Sequence, residues 1–275
     1  MPAAPVPSAR PPRGRHYLRS RALADDLVRD ACVQPGSLVL DLGSGGGILA
    51  RALADAEARV LAVELDPQAA AGLRSRFAAE PRVTVLRADA TRLALPQEPF
   101  SVLANLPFAA GTAILRSLLD DARVPVRQVD AIVEWGLATK RTAVWPSTLL
   151  GCAWGAWHAL SLPRRVPRAC FAPPPSVDAA VFRAVRRAEP LVPIAEATAY
   201  VALLRRAFAA QAPVERLLPR GVVRRVAREL GFDPRALPRD LDARQWAALH
   251  AATAARSARP RRRAPAPRCP PSSRP

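Results

Sequence analysis

The residues best suited to chemistry are Asn105 and Phe108, which stand three positions apart in the segment Asn105-Leu106-Pro107-Phe108. An asparagine amide carries one acceptor oxygen and two donor hydrogens, enough to hold an exocyclic amino group. A phenylalanine ring offers a flat face on which a planar base can stack. The pair predicts a site for the amine of a base, and the alternative is an Asx turn followed by a core phenylalanine.

This segment follows an apolar run, Phe100 to Ala104, that has the length and composition of a buried strand. A proline cannot continue a sheet ladder, so the strand must end before Pro107. Ligands of open α/β sheets bind at the carboxyl ends of the strands. The sequence therefore places Asn105 where a ligand site is expected.

Three further predicted strands end in residues that suit a bound nucleoside. The first leads into a turn with Gly43, Gly45 and Gly47, which allows close approach to the backbone. The second ends at Glu64, whose carboxylate can accept from both hydroxyls of a ribose. The third ends at Asp89, which can accept from an adenine amino group. Four consecutive strand ends thus predict one ligand site.

The glycine turn departs from the fingerprint of dinucleotide-binding proteins. The position of the last glycine of that fingerprint is Ile48, which disfavours a pyrophosphate and with it an NAD-dependent oxidoreductase. The four cysteines show no C-x-x-C spacing, so no metal site is predicted.

The elements that must position these residues alternate between strands and helices, which predicts an α/β fold with a parallel, doubly wound sheet. The predicted strands are 37–41, 60–64, 83–86, 100–104 and 129–135, with two more near 156–162 and 179–185. Helices are predicted over 22–31 and 48–56, and from Asp66-Pro67 onward. The five tryptophans are expected to pack in the core or at sheet edges.

Changes in composition predict four segments. Residues 1–14 form a disordered N-terminal arm and residues 254–275 a disordered tail, because both are rich in Pro and Arg and poor in large apolar residues. Residues 15–188 form the α/β domain, and residues 190–253 a small helical domain.

The net charge of +18 is concentrated at the two ends of the chain. Residues 1–21 contain five arginines and no acid, and residues 256–275 contain seven arginines and no acid. These ends either bind a polyanion such as RNA or are solvated tails. A basic wall for RNA phosphates, with a solvated rim as the alternative, is predicted around 171–178 from Arg164, Arg165, Arg168, Arg183, Arg186 and Arg187.

Five motifs carry a resemblance to a known family. They are Asp41-Leu-Gly-Ser-Gly-Gly-Gly47, Glu64-Leu-Asp66, Asp89-Ala90, Asn105-Leu-Pro-Phe108 and Phe171-Ala-Pro-Pro-Pro-Ser-Val-Asp178. Residues 15–187 closely resemble the rRNA adenine N6-methyltransferases, and most of all their erythromycin-resistance (Erm) branch, which modifies an adenine of 23S rRNA.

The resemblance implies a Rossmann-like S-adenosylmethionine-dependent methyltransferase sheet, with residues 190–253 as a helical RNA-binding domain. It implies that S-adenosyl-L-methionine contacts His16, Leu18, Gly43, Glu64, Asp89 and Asn105. Residues 15–18 depart from the usual Gln-Asn-Phe-Leu form of the family, because Arg15 and His16 replace the two amides. No metal is implied.

The expected catalytic residues are Asn105, Leu106 and Phe108. The Asn105 side-chain oxygen and the Leu106 carbonyl accept the two hydrogens of the adenine amine, which points its lone pair at the methyl group. Phe108 stacks on a target base that has been flipped out or lies in a loop.

We therefore expect a cytoplasmic, monomeric 23S rRNA adenine N6-methyltransferase that confers macrolide–lincosamide–streptogramin B resistance. It would act before or during assembly of the large subunit and would not bind a membrane. The alternatives are a small-subunit rRNA adenine dimethyltransferase of ribosome assembly and a non-catalytic RNA-binding relative. A DNA or protein amide methyltransferase is disfavoured, since those enzymes carry Asn-Pro-Pro-Tyr instead.

Overall fold

The computed structural model describes residues 16–258. The predicted N-terminal arm (1–14) and residues 259–275 of the predicted tail lie outside these residues. The strands are β1 (Tyr17–Leu18), β2 (Leu38–Leu42), β3 (Arg59–Glu64), β4 (Val83–Arg87), β5 (Phe100–Asn105), β6 (Val126–Glu134), β7 (His158–Val166), β8 (Phe171–Ala172) and β9 (Ala179–Arg186).

Ten α-helices occur within the described residues. They are α1 (Arg21–Asp30), α2 (Ile48–Asp55), α3 (Pro67–Arg76), α4 (Gly111–Leu119), α5 (Trp135–Thr142), α6 (Leu149–Gly155), α7 (Ala197–Ala210), α8 (Val214–Leu217), α9 (Arg220–Leu230) and α10 (Ala243–Ala258). None of the helices within residues 16–258 is long and apolar enough to cross a membrane.

Seven of the strands form one sheet in the order β4-β3-β2-β5-β6-β9-β7. The strands from β4 to β6 in this order are parallel, and β9 runs antiparallel to both β6 and β7. A parallel sheet must be covered on both faces, which explains the nearly continuous apolar runs of its strands. The fold is therefore α/β, as the sequence predicts.

Alternate residues of the central strands are buried on opposite faces of the sheet. Val39 and Leu103 pack in a cluster with α1, α2 and α3. Leu40 and Val102 pack in the cluster that contains α4 and α6. This two-sided burial follows from the period of two along a strand, and it fixes the register that brings the strand ends together.

The helical C-terminal region packs on the sheet through a continuous core. Tyr200 and Trp246 are fully buried in the same cluster as Phe182 of β9. The Tyr200 hydroxyl donates to the Cys152 carbonyl at 3.1 Å, and the Trp157 indole donates to the Val192 carbonyl at 2.8 Å. These contacts join the predicted α/β and helical domains in one packed unit.

Several predicted boundaries differ from the structure, among them the start of β6, which is Val126 rather than residue 129. Trp135 begins α5 rather than ending a strand, since its N–H donates to the Asp178 carbonyl and the ladder with β9 stops at Glu134. The strand predicted near 156–162 is β7, which begins at His158 because the Trp157 N–H closes a turn with the Trp154 carbonyl. Finally, α10 continues to Ala258, so residues 254–258 of the predicted tail are helical.

Candidate active site

Four of the predicted contact residues surround one cavity at the carboxyl edge of the sheet. Gly43, Glu64, Asp89 and Asn105 end or follow β2, β3, β4 and β5, and all four line a cavity of about 210 Å³. β2 and β5 are neighbours although β3 and β4 separate them in sequence, so the strand order reverses here. Ligands of open α/β sheets bind at such a crevice.

A second cavity, of about 380 Å³, lies beside the glycine turn and the start of α2. It shares Tyr17, Gly43 and Asn105 with the first cavity and adds Leu18, Asp41 and three arginines to the lining. The arginines are engaged by other groups of the chain: Arg21 by Asp25 and Asp55, Arg51 by Asp55 and Glu80, and Arg76 by the Gly46 carbonyl. The shared residues make the two cavities neighbouring parts of one cleft.

The N-terminal strand β1 forms one wall of this cleft because it pairs antiparallel with β8. The Arg19 N–H extends the pairing by donating to the Cys170 carbonyl at 3.0 Å, and His16 Nδ1 lies 2.8 Å from the Pro173 carbonyl. The motif 171–178 thus acts structurally, since it supplies the strand that holds residues 16–19 at the cleft.

The glycines that face β1 and Pro107 show why the turn needs residues without side chains. Gly45 has a φ of +51°, and a Cβ there would lie 2.7 Å from the Tyr17 ring, so the ring packs directly on the turn. Gly43 has a φ of +78°, and its Cβ would lie 3.3 Å from Pro107. Both glycines therefore allow close packing in a left-handed conformation that other residues rarely adopt.

Glu64 ties the glycine turn to the start of α3. Its side chain is buried, Oε2 accepts from the Gly45 N–H at 2.9 Å, and Oε1 accepts from the Asp66 N–H at 2.9 Å. These two bonds fix the orientation of the carboxylate at the wall of the first cavity. The position fits the predicted ribose contact.

Asp89 is held by the residue two positions later. Its Oδ1 accepts from the Thr91 hydroxyl at 2.7 Å and from the Thr91 N–H at 2.8 Å. These two bonds, with the hydroxyl bond as the larger cause, lower the pKa of Asp89. The carboxylate is therefore charged at neutral pH and suited to accept from an amino group.

Asp41 is a site residue to which the sequence analysis assigned no contact. It is 1% exposed and lines the second cavity. Burial raises the pKa of Asp41 to about 7; hydrogen bonds from Ser44 and Ala50 oppose the shift, and the negative charge of Glu64 adds to it. Its Oδ2 has no hydrogen-bond partner among the described residues. A buried carboxylate with an unused oxygen suits a cationic ligand group.

Asn105 is the only asparagine in the chain. Its Nδ2 donates to the backbone carbonyl of His16 at 2.7 Å, which fixes the orientation of the amide. Its Oδ1 is buried without a hydrogen-bond partner among the described residues. Because a buried acceptor is costly to leave unpaired, this oxygen is the one available to a ligand donor.

The other two predicted catalytic residues lie on either side of Pro107. The Leu106 side chain is buried, and its N–H donates to the Ile132 carbonyl at 3.1 Å, which anchors the backbone at the end of β5. Phe108 is half-buried and lines neither cavity. Its ring centroid lies 5.2 Å from that of His16 and 6.4 Å from that of Phe171. The stacking role of Phe108 stays a prediction.

The two N-terminal contact residues lie in different cavities. His16 lines the first cavity, where its backbone carbonyl, rather than its ring, holds Asn105. Leu18 is buried and lines the second cavity. Arg15 lies outside the described residues.

Five of the six arginines of the predicted basic wall have acceptors within the chain itself. The partners are Asp26 and Asp30 for Arg164, Asp178 for Arg165, Asp130 for Arg183, the carbonyls of Ala122 and Val124 for Arg186, and the Gly155 carbonyl for Arg187. Acids thus neutralise Arg164, Arg165 and Arg183, and binding of RNA phosphates by this surface stays a prediction.

Three of the five tryptophans are core residues, as predicted: Trp154, Trp157 and Trp246 are buried. Trp135 and Trp145 differ, since they are 37% and 72% exposed. Within residues 16–258, no group of three or more His, Cys, Asp or Glu side chains is placed to hold a metal ion.

Tyr17 and Phe171 are further residues of the site that were not predicted from the sequence. Tyr17 packs on Gly45, and Phe171 pairs with Leu18 across β1 and β8 and contacts the Phe108 ring. Neither contact has a local sequence signal, since each joins segments far apart in the chain. For Asp41 a signal existed, because an acid directly before a glycine turn ends a buried strand.

Comparisons with known proteins agree with this geometry. A sequence profile described as "Ribosomal RNA adenine dimethylase" matches residues 7–226. The chain is 34% identical over 250 residues to the mycinamicin-resistance protein MyrB of Micromonospora griseorubida, which covers 86% of this chain and 78% of that protein. It is 32% identical over 265 residues to ribosomal RNA small subunit methyltransferase A of Synechococcus sp. (strain JA-2-3B'a(2-13)), which covers 89% and 92% of the two chains.

Among solved structures, the fold is similar to the 23S rRNA methyltransferase ErmE. The TM-score is 0.76 at 28% sequence identity, and the alignment covers 86% of this chain and 99% of that chain. A dimethyladenosine transferase from Plasmodium falciparum has the same fold, with a TM-score of 0.68 at 16% identity.

Proposed function

Because the chain belongs to the ribosomal RNA adenine dimethylase family, we propose that it methylates the N6 amine of a loop adenine in the macrolide-binding region of 23S rRNA. S-adenosyl-L-methionine is the methyl donor, and the product confers macrolide–lincosamide–streptogramin B resistance. The observation that carries the proposal is the buried, unpartnered Oδ1 of Asn105 at the cleft. It is an acceptor held where the donor N–H of an adenine amine is expected.

The residues of the cleft fit S-adenosyl-L-methionine. The unused oxygen of Asp41 lies in the second cavity and suits the cationic amino-acid part of this molecule. Glu64 suits the ribose hydroxyls and Asp89 the adenine amine, with Gly43, Leu18 and His16 in the surrounding walls. When bound, S-adenosyl-L-methionine supplies an electrophilic methyl group on sulfur.

The chain itself orients the amine of the target base. The Oδ1 of Asn105 accepts one N6 hydrogen, and the carbonyl of Leu106 accepts the other. These bonds draw the nitrogen lone pair out of conjugation with the ring and direct it at the methyl group. Orientation of this kind lowers the activation free energy by about 7–11 kcal/mol in well-aligned systems, so no strong base is needed. After transfer the nitrogen is cationic and loses one proton to solvent water, while the sulfur of the donor keeps the electron pair of the broken carbon–sulfur bond.

The target adenine must be unstacked before it can reach Asn105. Phe108, at the edge of the cleft, stacks on the extruded base and offsets part of the unstacking energy. The substrate is therefore an adenine in a loop, accessible before or during assembly of the large subunit. The protein would act on it as a monomer in the cytoplasm.

The phenylalanine ring gives a specific test of this stacking. We expect Phe108→Leu to lower kcat/KM for RNA by about 5- to 10-fold, because leucine keeps the apolar contact and loses the aromatic face. The unfolding midpoint should change little, and Phe108→Tyr should restore activity. A Phe108→Leu variant with normal kcat/KM and a lowered unfolding midpoint would show that Phe108 packs in the core and does not stack on the base.

Binding of the cofactor should depend on pH through Asp41. Its pKa of about 7 in the free protein will fall beside a cation. Affinity should therefore rise with pH below about 7, by at most about tenfold per unit, and level off above it. Calorimetry in buffers of different ionisation enthalpy measures the released proton.

The Asp41→Asn variant is the control for this pH dependence, because it keeps the shape and removes the titration. In the free wild-type protein, the raised pKa of Asp41 adds to the free energy of unfolding at low pH, and this contribution is lost as the pH rises through about 7. A wild-type affinity that is flat with pH would contradict the contact.

The two ribosomal targets are separated by mapping the modified base. The MyrB and ErmE similarities support 23S rRNA, and the similarity to the small-subunit enzyme supports 16S rRNA as the second candidate. Primer extension on both rRNAs from cells expressing the protein should show a new stop in 23S rRNA alone, together with macrolide resistance. A stop confined to 16S rRNA would establish the second candidate.

A further inference from the structure

A third cavity, of about 160 Å³, lies between the sheet and the helical region. Its lining comes from α5, α6, the start of β7, the segment after β9 and the start of α10. It shares no lining residue with either cavity of the candidate active site. It is therefore a separate feature of the molecule.

This cavity carries an excess of positive charge. Arg141, Arg187 and Arg244 line it, against the single carboxylate of Asp242. The Asp242 carboxylate is engaged, because its Oδ1 accepts from the Gln245 N–H at 2.8 Å at the start of α10. The three guanidinium groups belong to three segments that are far apart in sequence. The Arg187 Nε donates to the Gly155 carbonyl at 3.0 Å, and a neutral carbonyl leaves the charge of this arginine uncompensated.

Two side chains of the lining have buried polar atoms that the described residues do not satisfy. His158 is 1% exposed, and neither of its ring nitrogens has a hydrogen-bond partner. Arg141 has a buried Nε without a partner. Buried polar groups are normally paired, and the Arg141 Nε and the protonated ring nitrogen of His158 are donors that an anion in the cavity would satisfy.

The charges agree with this interpretation. Burial, and then the neighbouring Arg186 and Arg187, lower the pKa of His158 to about 4; the Trp154 carbonyl opposes the shift without reaching hydrogen-bond geometry. Burial also lowers the pKa of Arg141, and burial together with Arg244 lowers that of Arg187. An anion in the cavity would relieve each of these unfavourable interactions.

We propose that this cavity binds one phosphate group, held by Arg141, Arg187 and Arg244 with His158 as a further donor. Arginine pairs bidentately with phosphate, and the three guanidinium charges less that of Asp242 leave two positive charges, which complement the negative charge of a phosphate group. The cavity is smaller than the about 300–1,000 Å³ of pockets for whole small molecules, so it suits a compact anion. The phosphate would join α5, the end of β9 and α10, and so fix the helical region against the sheet.

The phosphate group comes from the RNA backbone or from free phosphate. The RNA source rests on the proposed function, whereas binding of the anion itself does not. An experiment with inorganic phosphate alone therefore tests the site independently of methyl transfer.

Histidine NMR gives a direct readout, because the chain contains only three histidines, His16, His158 and His250. The full-length protein, labelled in its imidazoles, is titrated with inorganic phosphate and with sodium chloride at matched ionic strength. We expect a saturable shift of the His158 signals with phosphate only. No saturable shift, or the same shift with chloride, would overturn the proposal.

Two matched charge reversals locate the binding. Arg244→Glu changes an exposed residue in the first turn of α10, where a carboxylate also favours the helix, so the fold should be kept. Arg220→Glu is the control, since it is exposed in the first turn of α9 and lines none of the three cavities. Arg244→Glu should weaken phosphate binding by about tenfold or more. Equal binding by the two variants would overturn the assignment.

The RNA source is tested with the same two variants. If the group is a backbone phosphate, Arg244→Glu should lower the slope of log affinity against log salt for 23S rRNA fragments by about 0.7–0.9, and Arg220→Glu should not. If the salt slope of Arg244→Glu equals that of the wild type, and the wild-type protein binds inorganic phosphate, the ligand of the cavity is free phosphate. Normal phosphate binding by a chain that fails to methylate RNA would refute the proposed function and leave this site standing.

Discussion

Replacement of Asn105 by alanine is expected to lower the rate of methyl transfer by about 10²–10³-fold, the cost of removing one preorganised hydrogen-bonding group at a reacting centre. The reason is geometric. The Asn105 Nδ2 is already used by the His16 carbonyl, so Oδ1 is the oxygen that remains to accept from the adenine amine. Alanine removes this acceptor, and the chain has no other asparagine.

Cofactor affinity separates this role from a structural one. The dissociation constant for S-adenosyl-L-methionine should change only modestly in Asn105→Ala, because Glu64, Asp89 and Asp41 remain in place. Single-turnover rates and calorimetry on the same preparation measure the two quantities. Retention of more than about a tenth of the wild-type rate would show that the amide does not orient N6.

Glu64→Ala should instead act on the cofactor. A buried pair of hydroxyls left without its acceptor costs about 1–3 kcal/mol, so the dissociation constant should rise about 5- to 150-fold. The variant also leaves the N–H groups of Gly45 and Asp66 without their acceptor, which loosens the glycine turn.

Glu64→Gln is the matched control for this loss. Glutamine keeps the volume and one acceptor oxygen, so its affinity should lie between those of wild type and Glu64→Ala. Thermal unfolding of the two variants measures how much of the effect comes from the turn. An unchanged dissociation constant in a folded Glu64→Ala protein would show that Glu64 stabilises the glycine turn but does not contact the cofactor.

The sheet and its ligand edge follow from local patterns in the sequence. Apolar runs of strand length, each ended by Gly43, Glu64, Asp89 or Asn105, are enough to place these four residues around one cavity. Their proximity follows from parallel strands sharing one carboxyl edge, which needs no knowledge of side-chain packing.

The remaining features depend on contacts between distant segments. The His16 carbonyl reaches Asn105 only because β1 pairs with β8. The ion pairs of the predicted arginine wall are another example, because Asp26 and Asp30 fold against Arg164 and Asp130 folds against Arg183. No regular spacing in the sequence indicates such pairings, so they can be identified only when the fold is known.

The most direct test of the central claim is nucleoside mass spectrometry of 23S rRNA incubated with the purified protein and S-adenosyl-L-methionine, with Asn105→Ala in parallel. The wild-type protein should produce N6-methylated adenosine in 23S rRNA, and the variant should produce almost none over the same time. Absence of methylated adenosine with folded, cofactor-binding protein, or an equal yield from Asn105→Ala, would contradict the assignment of this cleft as an adenine N6-methyltransferase site.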